Sequence, residues 1–126
     1  VYTLGKNERL KSRKSIELLF AEGKKINISP FRVLYIIETG SKQPSLSFAA
    51  GVSTRNFKKA VDRNRVKRLT REAYRLQKKS LQQKIEEQKL RVDVFFIYTG
   101  KELPSYDLVY EKMGAVLFKL DKLVTT

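Results

Sequence analysis

Arg63, Lys67, Arg71 and Arg75 recur at every fourth position of one stretch, with Asn64, Arg68 and Lys78 beside them. A guanidinium is a planar fork of donors that matches phosphate oxygens, and an amide among such forks adds a neutral donor and acceptor for sugar or base edges. At helical spacing these cations share a face and repel one another. Glu72 is the only acid in the second half of the run, so most of that repulsion is uncompensated and a polyanion would relieve it. A solvated face is the ordinary reading of a lysine-rich helix. The abundance of arginine and the asparagine set among it point to nucleic acid instead.

The rest of the composition agrees. The 126 residues include 27 Lys and Arg against 13 Asp and Glu, a net charge of +14 that attracts polyanions. Cysteine and histidine are both absent, which removes disulfides, thiolate metal sites, cysteine nucleophiles and the usual general base. Glu86 and Glu87 form the densest acidic pair but sit in a lysine- and glutamine-rich segment with the character of a solvated face. Asp93 is a lone carboxylate in an apolar strand, and a lone Asp is a poor nuclease. No run approaches the roughly 18 apolar residues of a membrane span. The start lacks a signal-peptide pattern, so the cytoplasm is the expected location.

The elements that must position the cations follow from periodicity. The basic helix carries Val66, Leu69, Ala73 and Leu76 as a narrow apolar stripe fit to lie on a sheet, and Asp62 is placed to cap its start. Ahead of it, Ser12 or Ser15 can cap a short helix that puts Ile16, Leu19 and Phe20 on one face and ends at Gly23. Residues 31–39 read as a strand entered at Pro30. Residues 40–44 are turn chemistry, and 46–53 read as the antiparallel return, with Leu46, Phe48 and Ala50 on one face. Beyond Arg75, Leu76, Leu81 and Ile85 make a thin pattern, read as an exposed helix extension or short second helix. Residues 90–99 are apolar on both faces, with Val92, Val94, Phe96 and Tyr98 on one and Phe95 and Ile97 on the other, as suits a central strand. Ser105 or Asp107 can cap a last helix with Val109, Met113, Val116, Leu117, Leu120 and Val124 along its stripe. Residues 1–6 carry little pattern. The order predicts one domain spanning 1–126, an α+β arrangement of helices against a small mixed sheet.

The run Arg63-Asn64-Arg65-Val66-Lys67-Arg68, followed by Arg71, Glu72 and Arg75, resembles the signature of the bacterial ribonuclease P protein subunit. The lead-in from Asn56 to Asp62 is similar to that family as well, as are Arg9-Leu10-Lys11 and the pattern Leu19-Phe20-x-x-Gly23. The resemblance implies a ribosomal-S5-like fold with the basic helix in a left-handed βαβ crossover. It implies the protein subunit of an endoribonuclease that removes 5′ leaders from precursor tRNA, with the RNA subunit carrying the catalysis and binding Mg²⁺. Arg63, Asn64, Arg65, Lys67, Arg68, Arg71 and Arg75 would then dock on the catalytic RNA or near the cleavage site. Arg55, Lys58 and Lys59 in the preceding loop would add RNA contacts, with Thr54 standing where the family usually has a basic residue. Phe20, Tyr35, Arg13 and Ile16 would hold the single-stranded leader, although Ile16 stands where the family often has an aromatic. On sequence grounds Phe20 serves equally as a core residue, and Tyr35 in an apolar strand is more often core or rim. The implied partners are ribonuclease P RNA and precursor tRNA, with no membrane and no DNA. A ribosomal or RNA-assembly protein with the same helix is the alternative. A DNA-binding helix-turn-helix factor is disfavoured, since no second helix precedes the basic one at a short turn.

Overall fold

The computed structural model describes residues 13–40 and 42–125; the tail expected at 1–6, the Arg9-Leu10-Lys11 pattern and the Ser12 cap lie outside them. Its elements are α1 (Arg13–Glu22), β1 (Lys24–Ile28), β2 (Phe31–Glu38), β3 (Ser45–Val52), α2 (Ala60–Gln77), α3 (Lys79–Glu87), β4 (Arg91–Tyr98) and α4 (Tyr106–Thr125). They form the expected α+β arrangement, with four helices around one four-stranded mixed sheet of order β1-β2-β4-β3.

The pairing corrects the expected hairpin. β3 is not the antiparallel return of β2: β4 lies between them, antiparallel to β2 (Val33 opposite Phe96) and parallel to β3 (Phe48 opposite Val94). The reason lies in the side chains. β4 is apolar on both faces and gains most from a central place, whereas β3 carries Ser45, Ser47 and Gly51 on one face and suits an edge. The other edge is β1, a strand missed from sequence because its only fully buried side chain is Ile26. It pairs with β2 through a turn at Ser29–Pro30, whose peptide is cis. Thr99 closes that corner, donating from its backbone N–H (2.8 Å) and its hydroxyl (2.9 Å) to the Pro30 carbonyl.

The sheet has a thick side and a thin side. On the thick side, Ile26, Val33, Leu46, Phe48, Val92, Val94 and Phe96 pack against α2, α3 and α4 in one continuous core. α4 buries the full expected stripe from Val109 to Val124, and Ser105 caps it by accepting from the Leu108 N–H at 3.2 Å. The stripe of α2 is rotated from expectation: Val66, Thr70, Ala73 and Tyr74 are buried, Leu69 is partly buried and Leu76 is exposed. Tyr74 wins the inward position by stacking flat on Phe48, ring centroids 4.0 Å apart, and Thr70 satisfies its hydroxyl on the Val66 carbonyl at 2.8 Å. α3 corrects the expectation of an exposed extension, since Leu81 and Ile85 are both fully buried. It stops where Leu90 N–H bonds the Ile85 carbonyl (3.0 Å) and Lys89 N–H that of Glu86 (3.3 Å), with Lys89 at φ 56 in the left-handed cap position.

On the thin side, ten-residue α1 alone among the described helices covers the sheet, with Leu19 buried over Leu34 and Ile16 half-buried beside them. Ser15 lies inside α1 and does not cap it. Asp93 points to this side, level with Ser47 and Ile36 on the neighbouring strands. It is only 8% exposed and its Oδ1 has no hydrogen-bond partner. Burial raises its carboxyl from the ordinary 3.8, with Arg91 opposing and Glu38 adding to the rise. Between the unfolded and the higher folded value the native state binds more protons, so stability falls as pH rises through that window. Asp93→Asn is therefore expected to raise the urea midpoint at pH 7 by removing a buried charge, with the advantage shrinking as the pH falls towards about 4. Urea titrations of both proteins across pH check this, and a margin independent of pH would count against it.

Candidate nucleic-acid interface

The loop that launches α2 is built around backbone-seeking side chains. Asn56 Nδ2 donates to the carbonyls of Thr99 (3.0 Å) and Gly100 (3.2 Å), which ties the loop to the end of β4. Phe57 anchors it in the core. Arg63 Nη1 reaches back to the carbonyls of Phe57 (2.9 Å) and Lys58 (2.8 Å). Lys59 occupies the cap position without a side-chain bond, and Asp62 sits in the first turn rather than at the cap expected for it. There its charge still complements the positive end of the helix dipole.

Because the buried stripe is rotated, so is the cationic face. Asn64, Arg68 and Arg71 point outward with Arg65 at their flank. Arg63 and Lys67, placed at the centre of the face by the four-residue series, are half-buried, and Lys78 is buried. Arg75 is also half-buried and holds Glu72 in a two-point ion pair, with Nε 3.1 Å from Oε2. That bond raises the Arg75 guanidinium above its ordinary value, so its charge is constant and partly spent. The outward strip from Asn64 to Arg75 spans about 16 Å of helix, and Arg55, Lys58 and Lys59 extend exposed cations beyond its N-terminal end.

A second surface lies on the thin side of the sheet. Phe20 is 57% exposed and sets its ring at 64° to that of Phe95, centroids 5.6 Å apart. Phe95 in turn lies across β3 at Gly51, where an added Cβ would come 2.6 Å from the ring. Arg13 is exposed at the start of α1, with Glu17 at 3.8 Å. Tyr35 does not join this shelf. It is 7% exposed and belongs to the core on the opposite face, level with Val94 and beside Leu34, which takes the place under α1. Successive strand residues alternate faces, so a displacement of one position moves a side chain through the sheet. The sequence reading missed Phe95 and Gly51 as parts of the shelf. The signals were present: the two-faced pattern of β4, and a glycine inside a strand, which marks close approach.

An arginine strip on the outer side of α2 and an exposed aromatic shelf on a mixed sheet make an α+β protein whose surface chemistry suits nucleic acid. Residues 4–121 match the Ribonuclease P family. The ribonuclease P protein component of Porphyromonas gingivalis is 36% identical over 119 residues, covering 94% of this chain and 87% of that protein. The corresponding component of Chlorobium phaeobacteroides is 30% identical over 130 residues, covering 95% and 89%. Among solved structures, the RNase P protein from Thermotoga maritima superimposes with a TM-score of 0.67 at 27% identity, covering 89% of this chain and 96% of that one. The Staphylococcus aureus RNase P protein shares the fold, with a TM-score of 0.66 at 18% identity over 94% and 99% of the two chains. The chain belongs to the ribonuclease P protein family.

The geometry separates two arginines that look alike in sequence. Arg63→Ala removes a charged donor shared by two carbonyls and is expected to cost about 1.5–3 kcal/mol of stability. Arg68→Ala, on the open side, is expected to stay within about 0.5 kcal/mol of the parent. Chemical denaturation of the two variants reads the difference directly; equal losses would mean that Arg63 does not hold the loop.

Proposed function

We propose that this chain is the working protein component of a bacterial ribonuclease P, acting in the cytoplasm on precursor tRNA. The outer strip of α2 docks on the catalytic RNA, and the Phe20–Phe95 shelf receives the single-stranded 5′ leader. The observation that carries this reading is the strip itself. Asn64, Arg68 and Arg71 are held outward by a helix whose other side is buried, so the backbone that carries these donors is already ordered before phosphate binds.

The division of labour follows from what the side chains can do. Phosphodiester hydrolysis needs a nucleophilic water and charge stabilisation on the transferring phosphoryl oxygens, work suited to divalent cations. With no histidine or cysteine in the chain, that role falls to the RNA subunit and its Mg²⁺. The protein contributes fixed positive charge, which offsets the repulsion between two RNAs and lowers the Mg²⁺ needed to bring them together. Leaders vary in sequence, and an aromatic shelf tolerates this because every base has a π-face. Arg13, exposed at the start of the same helix as Phe20, would meet leader phosphate.

Reconstitution tests the reading. Added to a bacterial ribonuclease P RNA, the protein is expected to raise precursor cleavage at low Mg²⁺ while cleaving nothing alone. Arg68→Ala is expected to flatten the log–log salt dependence of RNA binding by about 0.7–0.9. Cleavage by rigorously RNA-free protein, or no stimulation of the RNA, refutes the proposal.

Leader length distinguishes the two surfaces. Phe20→Leu and Phe95→Leu are each expected to weaken binding of long-leader precursor by about 1–3 kcal/mol, leaving mature tRNA and RNA-subunit affinity unchanged. Affinity measured against leader length in the reconstituted enzyme provides the check. A long-leader advantage that survives both changes removes the shelf from the leader path.

A further inference from the structure

The thin side of the sheet continues past the Phe20–Phe95 shelf, and the strand register shows what it carries there. Asn27 of β1, Arg32 of β2, Ile97 of β4 and Gly51 of β3 pair in one row across the sheet. All four share the face of the shelf, since Ile26, Phe31, Val33 and Phe96 alternate with them and belong to the opposite core. Ile97 is half-buried, whereas Arg32 and Asn27 are exposed. The Phe95 ring already leans into this row, because it lies over Gly51.

Arg32 stands on fixed backbone. Phe31 and Val33 on either side of it are buried, and Phe31 sets its ring edge-on to Phe96 and Tyr98. Arg13, Arg63 and Arg75 each engage a carboxylate or carbonyl, but the Arg32 side chain has no ion pair or hydrogen bond among the described residues. The two ends of this face also differ in charge. Lys25, Asn27 and Arg32 occupy the rows of Phe95 and Ile97 with no acidic strand residue among them. The opposite end carries Glu38 and Asp93, with Arg91 its one strand cation. A single strand leaving the shelf in that direction meets carboxylates, and in the other a guanidinium and an amide.

The Arg32 row lies between the shelf and the place where α2 begins. Ile97 is about 6.6 Å beyond Phe95 along β4, close to one step of an extended nucleotide chain. Thr99, two residues further, bonds the Pro30 carbonyl, and Asn56 of the α2 loop bonds the carbonyls of Thr99 and Gly100. We propose that Arg32 and Asn27 form a leader subsite ahead of the aromatic shelf, the guanidinium taking a leader phosphate and the amide an adjoining base edge. The leader then meets Arg32 before it meets Phe20. This rests on the reading that the shelf receives the leader, and it sets the order in which leader nucleotides meet the protein.

The test measures affinity in the reconstituted enzyme for precursors whose leaders lengthen one nucleotide at a time. Arg32→Ala is expected to weaken binding by about 2- to 5-fold, the scale of an exposed ion pair, beginning at a shorter leader than the loss from Phe20→Leu. It should flatten the log–log salt dependence by about 0.7, as for one phosphate of a single strand, and Arg32→Lys should restore that slope. Asn27→Ala is expected to weaken binding with the slope unchanged, because an amide displaces no counterion. Melting temperature and mature-tRNA affinity should stay at the parental values in all three. The subsite is overturned if Arg32→Ala leaves affinity and slope unaltered at every leader length, or if its effect begins only at leaders longer than those that sense Phe20→Leu. An equal loss with mature tRNA, or a loss of affinity for the RNA subunit, also overturns it by assigning Arg32 to another RNA surface. A long-leader advantage that responds to Phe20→Leu while Arg32→Ala is silent refutes the subsite alone, whereas no leader-length dependence in the parent refutes the shelf reading beneath it.

Discussion

Parallel pairing of β3 with β4 is the constraint on which the rest of the molecule depends. Parallel neighbours cannot be joined by a tight turn; the chain must cross from the end of one to the start of the other, usually through a helix. Here the crossover is α2 and α3. The basic helix is therefore an obligatory part of the sheet's connectivity. Asn56 and Arg63 fix its entrance by bonding backbone carbonyls of the β4 exit and of the loop itself.

That placement explains how a helix so rich in like charges is tolerated. Each like-charged pair at i,i+4 costs about 0.2–0.5 kcal/mol. Full burial of one side chain such as Val66 returns about 1.5–3 kcal/mol, and the flat stack of Tyr74 on Phe48 adds to it. The inward side of α2 outweighs the repulsion on its outward side. Under the proposed function a polyanion relieves that repulsion, so stability and affinity would be drawn from opposite faces of one element.

The two sides of the sheet divide the work in the same way. Three helices bury the thick side, and its core does not depend on the shelf. Among the described residues only α1 covers the thin side, and its Leu19 is fully buried while neighbouring Phe20 stays in water against Phe95. An edge strand with small residues, Ala49 and Gly51, leaves room for the Phe95 ring to pass close over it at Gly51.

The sequence by itself determined the helices, every strand but β1, the central place of β4, the α4 stripe and the outward donors at Asn64, Arg68 and Arg71. Periodicity and net charge are local properties, and they survive folding unchanged. Tertiary structure decided what depends on partners. β3 had to pair with β4 rather than β2 because a strand apolar on both faces competes for the centre. Tyr74 displaced Leu76 from the buried stripe of α2 because Phe48 was waiting across the interface, and that rotation withdrew Arg63, Lys67 and Lys78 from the open face. Tyr35 fell to the core and Leu34 to the side under α1 through strand alternation, where one position is the difference between core and shelf. Phe95 could be read as facing away from Val94, but what it faced was settled only when α1 and Gly51 were brought beside it from distant parts of the chain.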